Sequence, residues 1–74
     1  MAALSAFGVC LRPHRQQRGM SQLELANAAQ STSRYISFIE TGRSRPGREL
    51  ILRLADTLNL TLRDSNELLI SAGF

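Results

Sequence analysis

Apolar residues recur at helical spacing along most of this chain, and no segment alternates as a strand would. Phe7, Leu11 and His14 share one helical face, with Cys10 beside them, inside a first helix running from a Ser5 cap to Arg18. Gly19 is placed to end it, after Arg15 and Arg18 in the last turns, where cations suit the helix dipole. Pro13 falls within this span. An interior proline costs about 3 kcal/mol and kinks a helix. Its place off the apolar face favours a bent helix over one that begins only near Pro13.

Ser21 and Glu24 form an S-x-x-E capping-box pattern that opens a second helix, with Leu23, Ala26 and, as a further option, Leu25 on its apolar side. Thr32 can cap a third helix over about 33–41, in which Ile36 and Ile39 point inward while Ser33, Arg34, Ser37 and Phe38 face elsewhere. Pro46 and Gly47 interrupt the chain. Leu50, Ile51, Leu54, Ala55 and Leu58 then predict a helix over 48–58, with Asn59 at a left-handed stop. Thr61 with Asp64 resembles another cap, for a last helix to about Ser71 carrying Leu62, Leu68, Leu69 and Ile70, with Gly73 and Phe74 closing it. The expectation is an all-α, compact bundle of five short helices.

Seventy-four residues make one domain, over 1–74, able to bury roughly 60% of its unfolded surface. At 43% hydrophobic and 20% charged the chain is globular in composition, and no apolar run approaches the ~18 residues of a membrane span. No positive residue precedes the short N-terminal apolar patch, so a signal peptide is not expected. The single cysteine fits a reducing, cytoplasmic setting.

Charge changes the picture more. All nine basic residues are arginine. From Arg12 to Arg48 seven arginines face only Glu24 and Glu40, a net of +5; from Glu49 onward two arginines face four acids, a net of −2. A basic region of arginine suits bidentate contact with phosphate or guanine, although a solvated basic surface is the plainer alternative. No Cys/His cluster, Gly-rich phosphate loop or catalytic triad is present, so neither an enzyme nor a bound metal, cofactor or small molecule is expected. His14 and Cys10 read as packing residues. Phe38 fits either a core position or an outward contact, and Tyr35 either packing on a neighbouring helix or a polar contact.

The runs LRPHRQQRGMSQLELA, SRYISFIETGRSRP and LRLADTLNL together resemble the phage repressor/Cro (XRE) type of helix-turn-helix domain, from about Phe7 to Phe74. ISFIETGRSRP with the ending NELLISAGF is closest to the N-terminal domain of MmyB-like bacterial transcriptional regulators. The resemblance implies a lambda repressor-like bundle, with the helix-turn-helix at about 21–41 and the third helix in the DNA major groove. Carried over by position, Ser33, Arg34 and Phe38 would read base edges, while Gln22, Tyr35, Ser37, Arg43 and Arg45 would contact phosphates. Arg15 and Glu40 would form a structural ion pair joining the first helix to the end of the third.

The implied protein is a transcriptional regulator, a repressor in the first instance, that binds an inverted-repeat double-stranded DNA operator as a homodimer. Leu62, Leu68, Leu69, Ile70 and Phe74 would supply the dimer surface. A protein-interaction or antitoxin-like module built on the same bundle is the alternative. One departure stands out: Gln30 and Ser31 occupy the turn where the family usually has Gly and an apolar residue. A left-handed Gln costs on the order of 1 kcal/mol.

Overall fold

The computed structural model describes residues 3–74, and among these the chain forms five helices and no strand. They are α1 (Ala6–Gln17), α2 (Gln22–Ala28), α3 (Ser33–Thr41), α4 (Arg48–Thr57) and α5 (Leu62–Ser71). Helix α3 packs on α1 and α2, α5 packs on α1 and α4, and α2 reaches α4. Phe7, Leu11, Leu25, Ile36, Ile39, Ile51, Leu54, Leu58 and Leu68 fill the space between them.

Local chemistry sets most boundaries. Ser21 accepts from the Glu24 N–H (3.0 Å), and the Glu24 carboxylate accepts from the Ser21 N–H (3.0 Å), closing the capping box. Thr32 and Thr61 accept from the Tyr35 and Asp64 N–H groups at the starts of α3 and α5. Asn59 takes φ +53 after α4. Between α2 and α3, Gln30 adopts φ +60, so that turn carries a left-handed, non-glycine residue.

Helix α1 continues through Pro13, which lies with Val9 on the exposed side. The carbonyl of Val9, which Pro13 cannot serve, is thus placed toward water rather than in the core. The inward face of α1 is Phe7, Leu11 and Arg15, while His14 is only half-buried. Leu25, Ala26 and Ala29 carry the buried side of α2, and Leu23 lies outside the core. In α5 Leu68 is fully buried and Leu69 half-buried, whereas Leu62 and Ile70 stay 79% and 69% exposed. Leu68 is therefore unavailable to any partner, which corrects the surface expected for it.

Two features lock α1 against α3. The Ser5 N–H donates to the Glu40 carbonyl (2.8 Å), and the Ser5 hydroxyl donates toward the Ile39 and Glu40 carbonyls (2.9 and 3.0 Å) while accepting from the Gly8 N–H (2.9 Å). Carbonyls that the end of α3 leaves without helical partners are thereby satisfied by the cap of α1. Gly8 permits the approach: a Cβ there would lie 2.7 Å from the Glu40 carbonyl carbon and closer still to its oxygen.

Candidate nucleic-acid interface

Ile36, Ile39 and Glu40 turn into the protein, which leaves Ser33, Arg34, Ser37, Phe38 and Thr41 as the opposite stripe of α3. Arg34 is exposed, and the other four are half-buried. The Thr41 hydroxyl donates back to the Ser37 carbonyl (2.9 Å). Gly42, at φ +83, then reverses the chain, and the Arg43 N–H donates to the Phe38 carbonyl (2.9 Å). This turn brings Arg43 back over the stripe. Its guanidinium carbon sits 4.9 Å from the centre of the Phe38 ring, and that of Arg34 sits 5.4 Å away. Phe38 is thus neither a core residue nor a free apolar tip. Two cations share its ring.

Beneath the stripe lies a buried polar centre. Arg15 donates through Nε (2.9 Å) and Nη2 (3.2 Å) to the two oxygens of Glu40, and through Nη1 to the Met20 carbonyl (3.0 Å). Gln22 adds its Nε2 to the same carboxylate (3.0 Å). This fork-to-carboxylate geometry is the strong form of such a pair. It fixes the end of α3 to α1 and to the start of α2. Sequence reasoning assigned Gln22 to phosphate alone; the structure turns one of its amide donors inward.

Arg45 is displaced further from its expected role. Its Nε donates to the Ala72 carbonyl (2.9 Å) and its Nη2 lies 3.4 Å from the Gly73 carbonyl, with the guanidinium 4.9 Å from the Phe74 ring centre. The cation caps the end of α5 rather than joining the α3 stripe, because unpartnered carbonyls at a helix C-terminus attract it. Tyr35 is half-buried against the core, its hydroxyl 3.5 Å from the Arg45 carbonyl. Ser37 stays half-buried on the stripe, one residue before Phe38.

Among the described residues three arginines are in ion pairs: Arg15 with Glu40, Arg53 with Glu49 and Arg63 with Glu67. The six others, Arg12, Arg18, Arg34, Arg43, Arg45 and Arg48, all belong to the basic part of the sequence. The thiol of Cys10 is pushed up from its ordinary value, chiefly by burial, with the carboxylates of Glu67 and Asp64 adding to the rise and the nearby Ser71 side chain opposing it. It belongs to the α1–α5 contact and not to the stripe. No group of three potential metal ligands occurs among the described residues, and no helix there is long and apolar enough to cross a membrane. A cavity of about 160 Å³ between the start of α1, the loop after α3 and the end of α5 is below the ~300–1,000 Å³ of ordinary ligand pockets.

The family model of the helix-turn-helix domain matches residues 6–68. The chain belongs to the helix-turn-helix domain family. The domain is of XRE-like type, and the match runs from the start of α1 into α5. A curated relative, the HTH-type transcriptional regulator DdrOP3 of Deinococcus deserti, is 41% identical over 54 residues. That match covers 73% of this chain but 42% of the relative, so the chain spans about two fifths of that protein's length. Among solved structures, the clp gene regulator ClgR from C. glutamicum is similar with a TM-score of 0.76 and 31% identity, over 92% of this chain and 84% of that one.

Proposed function

We propose that this helix-turn-helix domain is the DNA-binding part of a transcriptional regulator, acting in the cytoplasm on a specific double-stranded operator. The observation that carries this reading is the outward stripe of α3, where arginines free of carboxylates stand beside hydroxyls on a helix clamped at both ends. An inert surface helix has no need of that combination. The family match and the two regulators with similar domains support it.

In this reading α3 enters the major groove. Arg34 addresses guanine O6 and N7, Ser33 makes a less selective contact beside it, and Phe38 lies at the same edge. Ser37, Tyr35, Gln22 and Arg43 flank the groove and meet phosphates, which supply most of the affinity. Arg45 serves the end of α5 instead. Occupying promoter DNA makes the regulator a repressor. A second copy on an inverted repeat, with half-sites about 34 Å apart, extends the sequence read; the exposed Leu62, Ile70 and Phe74 are apolar surface available for that pairing.

The test is selection from a randomised duplex pool with the purified chain at roughly physiological salt, since phosphate-driven binding is salt-sensitive. Enrichment of a palindrome with half-sites one turn apart is the expected result. Enrichment of a single half-site removes the dimer. No retention even at low salt removes the DNA reading and points to protein partners.

A further inference from the structure

We propose that Phe38 is a positioning residue: its ring gathers the guanidiniums of Arg34 and Arg43 into one cationic reading unit. This revises the phosphate role given to Arg43 above: Arg43 adds base discrimination rather than uniform phosphate affinity. The inference rests on the DNA-binding reading above and assigns roles within it.

Both guanidinium carbons lie within about one ring-stacking distance of Phe38, at 5.4 Å for Arg34 and 4.9 Å for Arg43. Arg43 is held at both ends by the same residue, because its N–H also donates to the Phe38 carbonyl (2.9 Å) across the Gly42 turn. Neither arginine has a carboxylate partner or a guanidinium hydrogen bond among the described residues. Stacking engages the flat face of a guanidinium and leaves the N–H donors on its edge free, in the plane suited to bidentate contact with guanine. Arg45 supplies the contrast within the same protein. It also lies 4.9 Å from an aromatic ring, yet its edge donors are taken by the Ala72 and Gly73 carbonyls. Arg34 and Arg43 keep theirs for a ligand. Two like charges held against one ring, without a counter-charge, favour an electron-rich target such as the guanine acceptors of a duplex.

A ring flanked by two cations is also a poor probe for a thymine methyl group. That separates the two roles open to Phe38. Leucine at this position keeps an apolar contact with a methyl group but loses the π-face, whereas tyrosine keeps the face. The experiment measures relative affinities of the wild-type chain, Phe38→Leu, Phe38→Tyr, Arg34→Ala and Arg43→Ala for the selected operator, each of its single-base variants and a random duplex. Thermal midpoints by circular dichroism establish that each variant is folded.

The expected result is a loss of roughly five- to thirtyfold in discrimination for Phe38→Leu, at the base pairs also affected by Arg34→Ala and Arg43→Ala. Random-duplex binding stays within about twofold, a split that a merely structural role would not produce, and Phe38→Tyr restores the preference. Without DNA, ring-current displacement of the Arg34 and Arg43 Hε resonances, absent in Phe38→Leu, reports the stack directly. Unshifted resonances overturn the proposal. So does a Phe38→Leu variant that discriminates like the wild type, or an Arg43→Ala variant weakened equally on every duplex; in these cases the DNA reading survives. A wild-type chain that prefers no duplex brings down the DNA reading and this inference together.

Discussion

Replacing Glu40 with leucine removes the carboxylate that receives Arg15 Nε, Arg15 Nη2 and Gln22 Nε2 at 2.9, 3.2 and 3.0 Å. The Glu40 and Arg15 side chains are only 2% and 10% exposed, so water cannot readily take the carboxylate's place. Leucine is close enough in size to leave little cavity. What remains is a buried guanidinium whose one other protein partner is the Met20 carbonyl at 3.0 Å. Stranding one member of a buried pair costs about 3–5 kcal/mol. A domain of this length has a total stability of roughly 4–11 kcal/mol, so Glu40→Leu is expected to lose between about a quarter and all of it.

Arg15→Met alone leaves the carboxylate stranded with Gln22 and is expected to lose a similar amount. The double variant Arg15→Met/Glu40→Leu removes both charges and should return to within about 1 kcal/mol of wild type, because apolar replacement of a whole buried pair is often neutral or better. Urea unfolding followed by circular dichroism at 222 nm, analysed by linear extrapolation, measures all four proteins. A Glu40→Leu variant within about 1 kcal/mol of wild type, or a double variant as unstable as the sum of the singles, refutes the reasoning.

Gly8→Ala should destabilise by on the order of 2 kcal/mol despite alanine's better helix propensity, since the added Cβ drives into the Glu40 backbone; a midpoint at or above wild type in the same urea assay counts against this. Gln30→Gly should stabilise by roughly 1 kcal/mol and raise the melting temperature by about 4–8 °C, because Gln30 sits at φ +60. An unchanged melting point would show that the turn carries no strain. The Glu24 carboxyl is held below its ordinary 4.5 by hydrogen bonds from the Ser21 backbone and side chain. A lowered folded-state value means that its contribution to stability is present above pH 4.5 and lost as the pH falls through that lowered value. Carbon-detected NMR titration should show Glu24 moving part of the way back up in Ser21→Ala, and no movement would remove the Ser21 hydroxyl as a cause and leave the backbone N–H alone.

Helix ends were the most legible part of this protein, because a cap is a local bond between residues three apart. Ser21 with Glu24, Thr32, Thr61 with Asp64, and the left-handed Asn59 could each be placed without knowledge of the fold. Helical phase was less legible on short segments. In α2 the apolar neighbours Leu23 and Leu25 both fit a helical face, and only packing against α3 and α4 decides that Leu25 is the buried one. In α5 the sequence groups Leu62, Leu68, Leu69, Ile70 and Phe74 as one pairing surface, but the helix packs on α1 and α4 and buries Leu68 in that contact, leaving Leu62 and Ile70 exposed.

The candidate site was legible where it depends on α3 alone, as with the stripe of Ser33, Arg34, Ser37 and Phe38. It was not legible where a long side chain chooses between distant partners. Nothing near Arg45 in sequence announces the carbonyls of Ala72 and Gly73, and Gln22 gives no sign of its bond to Glu40. Gly8 is equally silent, since its smallness matters only to a helix some thirty residues away.

The Ser5 cap has a mechanical consequence for α3. An ordinary helix loosens from its ends, one amide at a time, while the rest of a domain stays closed. Helix α3 has no such independent end, since its last carbonyls are held by the residue that begins α1. Fraying of α3 therefore has to unseat the first turn of α1 as well. Amide hydrogens late in α3 and early in α1 should exchange with solvent in one common opening, so that the outward stripe of α3 is either whole or lost together with α1.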